Sequence, residues 1–254
     1  MNQVPDRYRG VWARTLLETP QTKDESTFVR WVQTSLWHAD LRVPLGISSS
    51  SSALQLATQQ GFCGVTEVSQ SLNGEVCTWH RKTDFQPPRT DVDAGWMVFE
   101  TPERVVETGV HAPYREIWQR LPDSMSRFIV LGGLNAPGQM TAERFLVAGD
   151  YAISVRPRPR VWPVTTVDSP SLQGVLRANP ELASELLDFE ISFGQLGRNG
   201  WSIEQSTLPA LSKTKWPLSL HKVSDTSAVL EGTRLHGQWS IVEWSCIENS
   251  LLFV

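Results

Sequence analysis

The chain repeats an order of short segments at about half its length. "VVETGVHAPYREIW" runs from Val105 to Trp118, and "AVLEGTRLHGQWSIVEW" runs from Ala228 to Trp244. Glu107 and Glu231 in these segments are separated by almost half of the 254 residues. Self-similarity at a fixed spacing indicates an internal duplication. We therefore predict a chain made of two related halves.

Apolar residues recur mostly with period two, which is typical of β-strands with one buried face. In "WHADLRVP", residues 37–44, apolar side chains alternate with the polar side chains of His38, Asp40 and Arg42. "RFLVAGDYAISVR", "LDFEISFGQL" and "GQWSIVEW" are similar short runs bounded by turn residues. This pattern predicts many short strands.

Two stretches break the strand pattern and predict short helices. In "SSSSSALQLATQQG", Ser52 is a candidate N-cap and Gly61 a candidate helix stop. "SPSLQGVLRANPELASELL" predicts two short helices that are broken at Asn179-Pro180. Each helical stretch follows a strand that carries an arginine, Arg42 or Arg156, so the order of elements repeats as well.

Each half, of about 120 residues, is long enough for a closed antiparallel barrel, which leaves no exposed strand edge. We predict an all-β fold of two tandem lipocalin-like (calycin) antiparallel β-barrels with short helical insertions. The N-terminal barrel is predicted over residues 1–123 and the C-terminal barrel over 124–254, because Pro122-Asp123-Ser124 interrupts the strand pattern. A barrel of this size is either filled by side chains or holds one small molecule.

Composition excludes several partners. The net charge is −4, the pI is near 5.8 and no basic run occurs, which argues against nucleic-acid binding. No apolar segment is long enough for a membrane span or a signal peptide. Three cysteines and five histidines show no metal-ligand spacing, so neither a metal nor another cofactor is predicted. We expect a cytoplasmic protein.

Several segments resemble, in order, a fungal family of small proteins that interact with a casein kinase, and its uncharacterised bacterial relatives. The resemblance rests on "HADLRVP", "GFCG", "EVCTW", "VVETG" with "YREIW", "FLVAGDYA", "DFEISFG" and "WSIVEW". It covers roughly residues 25–245 at low identity. The resemblance implies two lipocalin-like barrels and a possible protein partner, and it supplies no catalytic residues.

The period-two rule also sorts the polar side chains of the first half by face. Tyr114, Glu116 and Trp118 share one face of their strand. Asp40 shares a face with Arg42, and Trp79 shares a face with Arg81. The residues predicted to meet inside the first barrel are Asp40, Arg42, Trp79, Arg81, Tyr114, Glu116 and Trp118.

Three interpretations of this set remain open. In the first, Arg42 or Arg81 binds an anionic group of a small, partly apolar ligand while Trp79 and Trp118 cover its body. The full ligand-binding set is then Arg42, Trp79, Arg81, Tyr114, Glu116 and Trp118. In the second, the ion pairs close the barrel without any ligand.

In the third interpretation, Asp40 or Glu116 acts as a general base and Tyr114 as a proton donor. The reaction would be an isomerisation, a cyclisation or a hydrolysis of a small metabolite. A protein-interaction scaffold, implied by the fungal resemblance, is a further alternative. The sequence ranks ligand binding first, catalysis second and the scaffold third.

Overall fold

The computed structural model describes residues 2–162, 171–198, 200–232 and 235–246, which form two antiparallel sheets of nine strands each. The strands of the first sheet are β1 Gly10–Glu18, β2 Lys23–Asp24, β3 Phe28–Gln33, β4 Trp37–Val43, β5 Gln60–Ser71, β6 Gly74–Asp84, β7 Ala94–Thr101, β8 Arg104–Gly109 and β9 Arg115–Arg120. The strands of the second sheet are β10 Arg127–Leu134, β11 Met140–Ala148, β12 Tyr151–Arg156, β13 Glu190–Gly197, β14 Gly200–Ser206, β15 Lys215–Trp216, β16 Leu218–Lys222, β17 Ser227–Gly232 and β18 Gly237–Cys246.

The first sheet closes on itself. Its order is β2-β1-β3-β4-β5-β6-β7-β8-β9, and β1 also pairs with β9. β1 and β3 to β9 therefore form a ring, and the short β2 lies beside it. Closure leaves no unpaired strand edge in the ring.

The second sheet is nearly closed. β10 pairs with both β11 and β18, as β1 pairs with β3 and β9 in the first sheet. The remaining edges, β15 and β16, are separated by Pro217, which has no backbone N–H to donate across the gap. The prediction of an all-β chain with two tandem antiparallel barrels is thus confirmed.

The repeated order of segments corresponds to repeated topology. Glu107 lies on β8 and Glu231 on β17, and each of these is the next-to-last strand of its sheet. α1, Ala53–Leu56, lies between β4 and β5. α2, Leu172–Ala178, and α3, Ala183–Leu186, lie between β12 and β13. Helical segments thus occupy the same place in each half.

The helix signals are confirmed in part. Ser52 caps α1 through a capping box with Gln55, and Asn179 ends α2 directly before Pro180. Gly61 is not the helix stop, because it lies within β5, where a Cβ would be 2.7 Å from the backbone oxygen of Asp40. No helix in the described ranges is long and apolar enough to cross a membrane.

Apolar side chains form three layers. One fills part of the first lumen, a second fills the second lumen, and a third lies between the barrels. Ala39 and Leu41 of β4 belong to the layer between the barrels, together with Leu146 and Phe193 of the second barrel. The polar face of β4 is therefore turned into the first lumen, because its apolar face is used for packing the barrels together.

Candidate functional site

The first barrel encloses a cavity of about 230 Å³. All seven side chains that the sequence predicts for the lumen line this cavity, namely Asp40, Arg42, Trp79, Arg81, Tyr114, Glu116 and Trp118. Each of the strands β4, β6 and β9 contributes some of them, and Tyr114 lies directly before β9. Alternation along the strands therefore brings these residues together as predicted.

Asp40 and Arg42 form an ion pair on the lumen face of β4. The Arg42 Nε lies 2.7 Å from Oδ1 of Asp40, and an Arg42 terminal nitrogen lies 3.8 Å from Glu116. Asp40 is buried, so its carboxylate needs this partner. Burial opposes the charge on Arg42, but Asp40 and Glu116 raise the pKa of its guanidinium above the ordinary value.

Glu116 is held by an arginine that the sequence analysis did not identify. The Arg14 guanidinium donates to Glu116 at 2.8 Å and to Asp24 at 3.0 Å. A β-bulge at Thr15 in β1 lets Arg14 and Leu17 both face the lumen although they are three residues apart. Arg14 precedes the bulge and shares a strand face with the fully buried Trp12, so this alternation was the available signal.

Arg81 is surrounded by carboxylates and an aromatic ring. Its guanidinium donates to Asp84 at 2.8 Å and to Asp93 at 2.6 Å, and lies 3.6 Å from the centre of the Phe62 ring. A second bulge, at Lys82 in β6, places Arg81 and Asp84 on the same side of the strand. Burial opposes its charge, but Asp93 and Asp84 raise the pKa of Arg81.

Glu107 is the second lumen residue that the sequence analysis did not identify. Tyr114 Oη donates to its Oε1 at 2.7 Å, and Trp118 Nε1 donates to its Oε2 at 3.0 Å. Its neighbour on the same strand face, Val105, is fully buried, and this alternation was the available signal. Gly95 on β7 leaves room for Glu107, since a Cβ there would lie 2.6 Å from its Cγ.

The surroundings of Glu107 favour its neutral form. Burial, and then the nearby charge of Glu116, raise the pKa of Glu107 to about 8. Glu107 and Glu116 are direct cross-strand partners on β8 and β9. Burial, followed by the charge of Glu107, also raises the pKa of the Tyr114 phenol. The cavity therefore holds one carboxyl group that can gain or lose a proton near neutral pH.

Three tryptophans form the aromatic wall of the cavity. Trp31 meets Trp79 and Trp118 edge to face, with ring centres 5.6 and 5.7 Å apart. All three are buried. Trp31 is a direct cross-strand partner of Asp40, so the aromatic wall lies next to the charged side chains of the cavity. Such a wall can cover an apolar or cationic body.

A wider cleft of about 650 Å³ adjoins the cavity and extends toward the second barrel. Trp79, Arg81 and Asp93 border both spaces. Arg158, on the cleft wall, donates to the backbone oxygens of Phe85 and Leu186 at 2.6 and 2.9 Å. The cleft shares part of its wall with the cavity, and Arg158 is held in place by these backbone contacts.

The second lumen is filled by side chains. Ile129, Phe145 and Trp201 are among the buried residues that pack inside it. The space next to Trp201 and Leu218 is about 10 Å³, which is about the minimum for one water molecule. The two barrels thus share a topology and differ in their interiors.

No group of three or more His, Cys, Asp or Glu side chains within the described ranges is placed to hold a metal ion.

The fold and the cavity define a tandem β-barrel protein with a hollow first lumen. The chain is similar to the crystal structure of the uncharacterized protein YLR301w from Saccharomyces cerevisiae. The TM-score is 0.59 and the identity 15%, and the match covers 93% of this chain and 99% of the yeast chain. The likeness extends over both barrels and concerns the fold alone. No protein-family model and no curated protein matches the chain.

Proposed function

We propose that the protein binds a small, partly apolar molecule in the lumen of the first barrel. The observation that carries the proposal is the cavity of about 230 Å³ with buried tryptophans and ion pairs in its wall. Drug-sized ligands occupy roughly 300–1,000 Å³, so the expected ligand is smaller than these. The contrast with the filled second barrel supports this choice of site.

A screen of the full-length protein against a metabolite library, followed by calorimetry of the hits, tests the proposal. Gln60 lines the cavity at the start of β5, so Gln60→Trp is designed to fill the lumen. Gln195→Trp is the matched control, because Gln195 is exposed on β13 of the second barrel. The hit compounds should no longer bind to Gln60→Trp and should still bind to Gln195→Trp. Absence of hits, or hits that Gln60→Trp leaves unchanged, contradicts the proposal.

Acid/base catalysis is a second candidate, favoured by the titrating carboxyl group in the cavity. Asp40 is held by Arg42 and Glu116 by Arg14, whereas Glu107 accepts hydrogen bonds from neutral donors. A raised pKa suits a general base or acid at neutral pH. A turnover whose pH profile has a pKa near 8, and which is lost in Glu107→Gln, would support catalysis.

The fungal resemblance also implies a protein partner. A scaffold of this kind is expected to have filled barrels and an exposed apolar patch. The hollow first lumen therefore supports ligand binding ahead of a scaffold role.

A further inference from the structure

The carboxyl group of Glu107 is held by neutral hydrogen-bond donors. It is buried at the cavity wall and accepts one hydrogen bond from Tyr114 and one from Trp118. Among the residues that the structure describes, no arginine, lysine or histidine forms a salt bridge with it. Each carboxylate oxygen has more than one acceptor site, so it can still interact with a bound group.

The walls of the cavity have an excess of negative charge. Its charged lining residues are Asp40, Asp93, Glu107, Glu116, Arg42, Arg81 and Arg89. Their ion-pair partners, which do not line the cavity themselves, are Asp24, Asp84 and Arg14. Together these make six carboxyl groups against four guanidiniums, so carboxylates exceed guanidiniums by one while Glu107 is neutral and by two when it is ionised. A bound positive charge would balance this set better than a bound negative one.

The two central arginines are already occupied. Arg42 places its Nε on Asp40 at 2.7 Å, and Arg81 donates to Asp84 and Asp93. Both guanidiniums also lie against the Phe62 ring. An anionic ligand would have to compete with these carboxylates for hydrogen bonds from Arg42 and Arg81. A cation needs no such exchange.

The tryptophan wall suits the same ligand charge. Trp31, Trp79 and Trp118 are buried around the cavity, and the indole face attracts a cation more strongly than other aromatic rings do. Glu107 lies beside this wall, since Trp118 donates to it. The aromatic and the acidic groups therefore converge on one place.

We propose that the first lumen binds a small organic cation, of the alkylammonium or quaternary ammonium class, with its charge next to Glu107 and its body against the tryptophans. This proposal rests on the proposed function, and it specifies the chemical class of the ligand. A ligand with a permanent positive charge would favour the ionised form of Glu107. Binding should therefore release a proton at a pH below the pKa of this group.

The experiment compares three probes of similar shape on the full-length protein by isothermal calorimetry. They are choline, its uncharged isostere dimethylbutanol and the anionic dimethylbutanoate. Choline should bind at least about tenfold more tightly than either of the others. Equal affinity for choline and dimethylbutanol, or tighter binding of dimethylbutanoate, overturns the cation assignment and leaves lumen binding intact. No detectable binding of choline also overturns it, whereas the proposed function falls only with the library screen.

A variant pair locates the charge that is responsible. Glu107→Gln keeps the shape of the side chain. It should lower the affinity for choline about tenfold or more and leave the affinity for dimethylbutanol unchanged. Glu231→Gln, on the exposed face of β17 in the second barrel, should change neither. An unchanged choline affinity in Glu107→Gln overturns the proposal.

Proton release provides a measurement that needs no variant. The groups with a charge or a titrating proton that face Glu107 are Glu116 on β9, Asp93 before β7, Tyr114 before β9, Cys77 on β6 and Arg42 on β4. Choline affinity should rise by up to about tenfold per pH unit as the pH approaches 8 and then level off. Calorimetry in two buffers with different ionisation heats should show release of up to one proton. Affinity that is independent of pH, with no proton released, contradicts the assignment to Glu107.

Discussion

Glu107 and Glu116 lie directly opposite each other on β8 and β9, and their environments differ. Glu116 accepts a 2.8 Å hydrogen bond from the Arg14 guanidinium. Glu107 accepts hydrogen bonds from the neutral Tyr114 hydroxyl and Trp118 indole. The charge of Glu116 is therefore balanced by a positive charge, whereas Glu107 depends on neutral hydrogen-bond donors.

The first prediction concerns how the stability of the protein depends on pH. The pKa of Glu107 rises from the ordinary 4.5 to about 8 on folding. Between these values the folded state holds a proton that the unfolded state has lost. The stabilisation that the protonated Glu107 provides is thus complete below about pH 4.5, and it falls as the pH rises towards 8.

Urea unfolding at several pH values checks this dependence. The glutamine of Glu107→Gln cannot titrate. Between about pH 4.5 and 8, the free energy of unfolding of the wild-type protein should therefore fall by up to about 1.4 kcal/mol per pH unit relative to that of the variant. Above about pH 8 the difference should stay constant. If the free energies of unfolding of the two proteins depend on pH in the same way, Glu107 keeps its ordinary pKa.

The second prediction concerns the buried pair of Arg14 and Glu116, each with about 5% of its side chain exposed. Arg14→Met leaves Glu116 with Arg42 at 3.8 Å as its remaining cation, so we expect a loss of about 3 kcal/mol in the free energy of unfolding. The double variant Arg14→Met/Glu116→Gln should recover most of this loss, because the uncompensated charge is removed as well.

Arg115→Met is the matched control for this pair. Arg115 pairs with Glu18 across the same two strands, but both side chains are 42% exposed. Solvent screens this pair, so the loss should be about 0–1 kcal/mol. Equal losses in Arg14→Met and Arg115→Met would contradict the view that burial makes the first pair important.

Much of the fold and part of the site follow from the sequence pattern. Strand alternation predicts that Asp40 and Arg42 share a face, and the repeat of the two halves predicts two barrels. Alternation does not predict bulges, which depend on how a strand meets its neighbour in three dimensions. The bulge at Lys82 hides the pairing of Arg81 with Asp84 for this reason. Arg14 lies before the bulge of β1 and shares a face with buried Trp12, so alternation was its available signal.

The charge balance of the lumen could not be predicted from the pattern either. Asp93 lies before β7, outside any alternating run, yet it pairs with Arg81. Ring closure brings β1 next to β9, which are about 100 residues apart in the chain. Glu107 did follow the alternation, through buried Val105. Its interpretation required knowing that no arginine of the described ranges forms a salt bridge with it.

The third prediction concerns the contact between the barrels. Glu243 on β18 accepts hydrogen bonds from the Thr34 hydroxyl at 2.7 Å and the Ser35 N–H at 3.0 Å, in the turn between β3 and β4. Glu243→Ala should lower the free energy of unfolding by about 1–3 kcal/mol, because two hydrogen bonds to a charged group are lost. Glu231→Ala, on an exposed face, should change it by less than about 0.5 kcal/mol. Urea unfolding of both variants checks this, and equal effects would show that the Glu243 contact adds no stability.

The last prediction concerns the space that Gly95 leaves for Glu107. A Cβ at Gly95 would lie 2.6 Å from Cγ and 2.8 Å from Oε1 of Glu107. The glutamate cannot simply move away, because Tyr114 and Trp118 hold both of its oxygens. Gly95→Ala should therefore lower the free energy of unfolding by about 1–3 kcal/mol through overpacking. It should also weaken the binding of a ligand in the first lumen.

Gly197→Ala is the matched control for this substitution. Gly197 ends β13 in the second barrel, and a Cβ there meets no atom within 4 Å. Thermal and urea unfolding should show little change in Gly197→Ala and a clear loss in Gly95→Ala. The double variant Gly95→Ala/Glu107→Ala should regain part of that loss, since the clash is removed with the side chain that causes it. If the second substitution brings no recovery, the constraint at Gly95 lies in the backbone of β7 and not in its contact with Glu107.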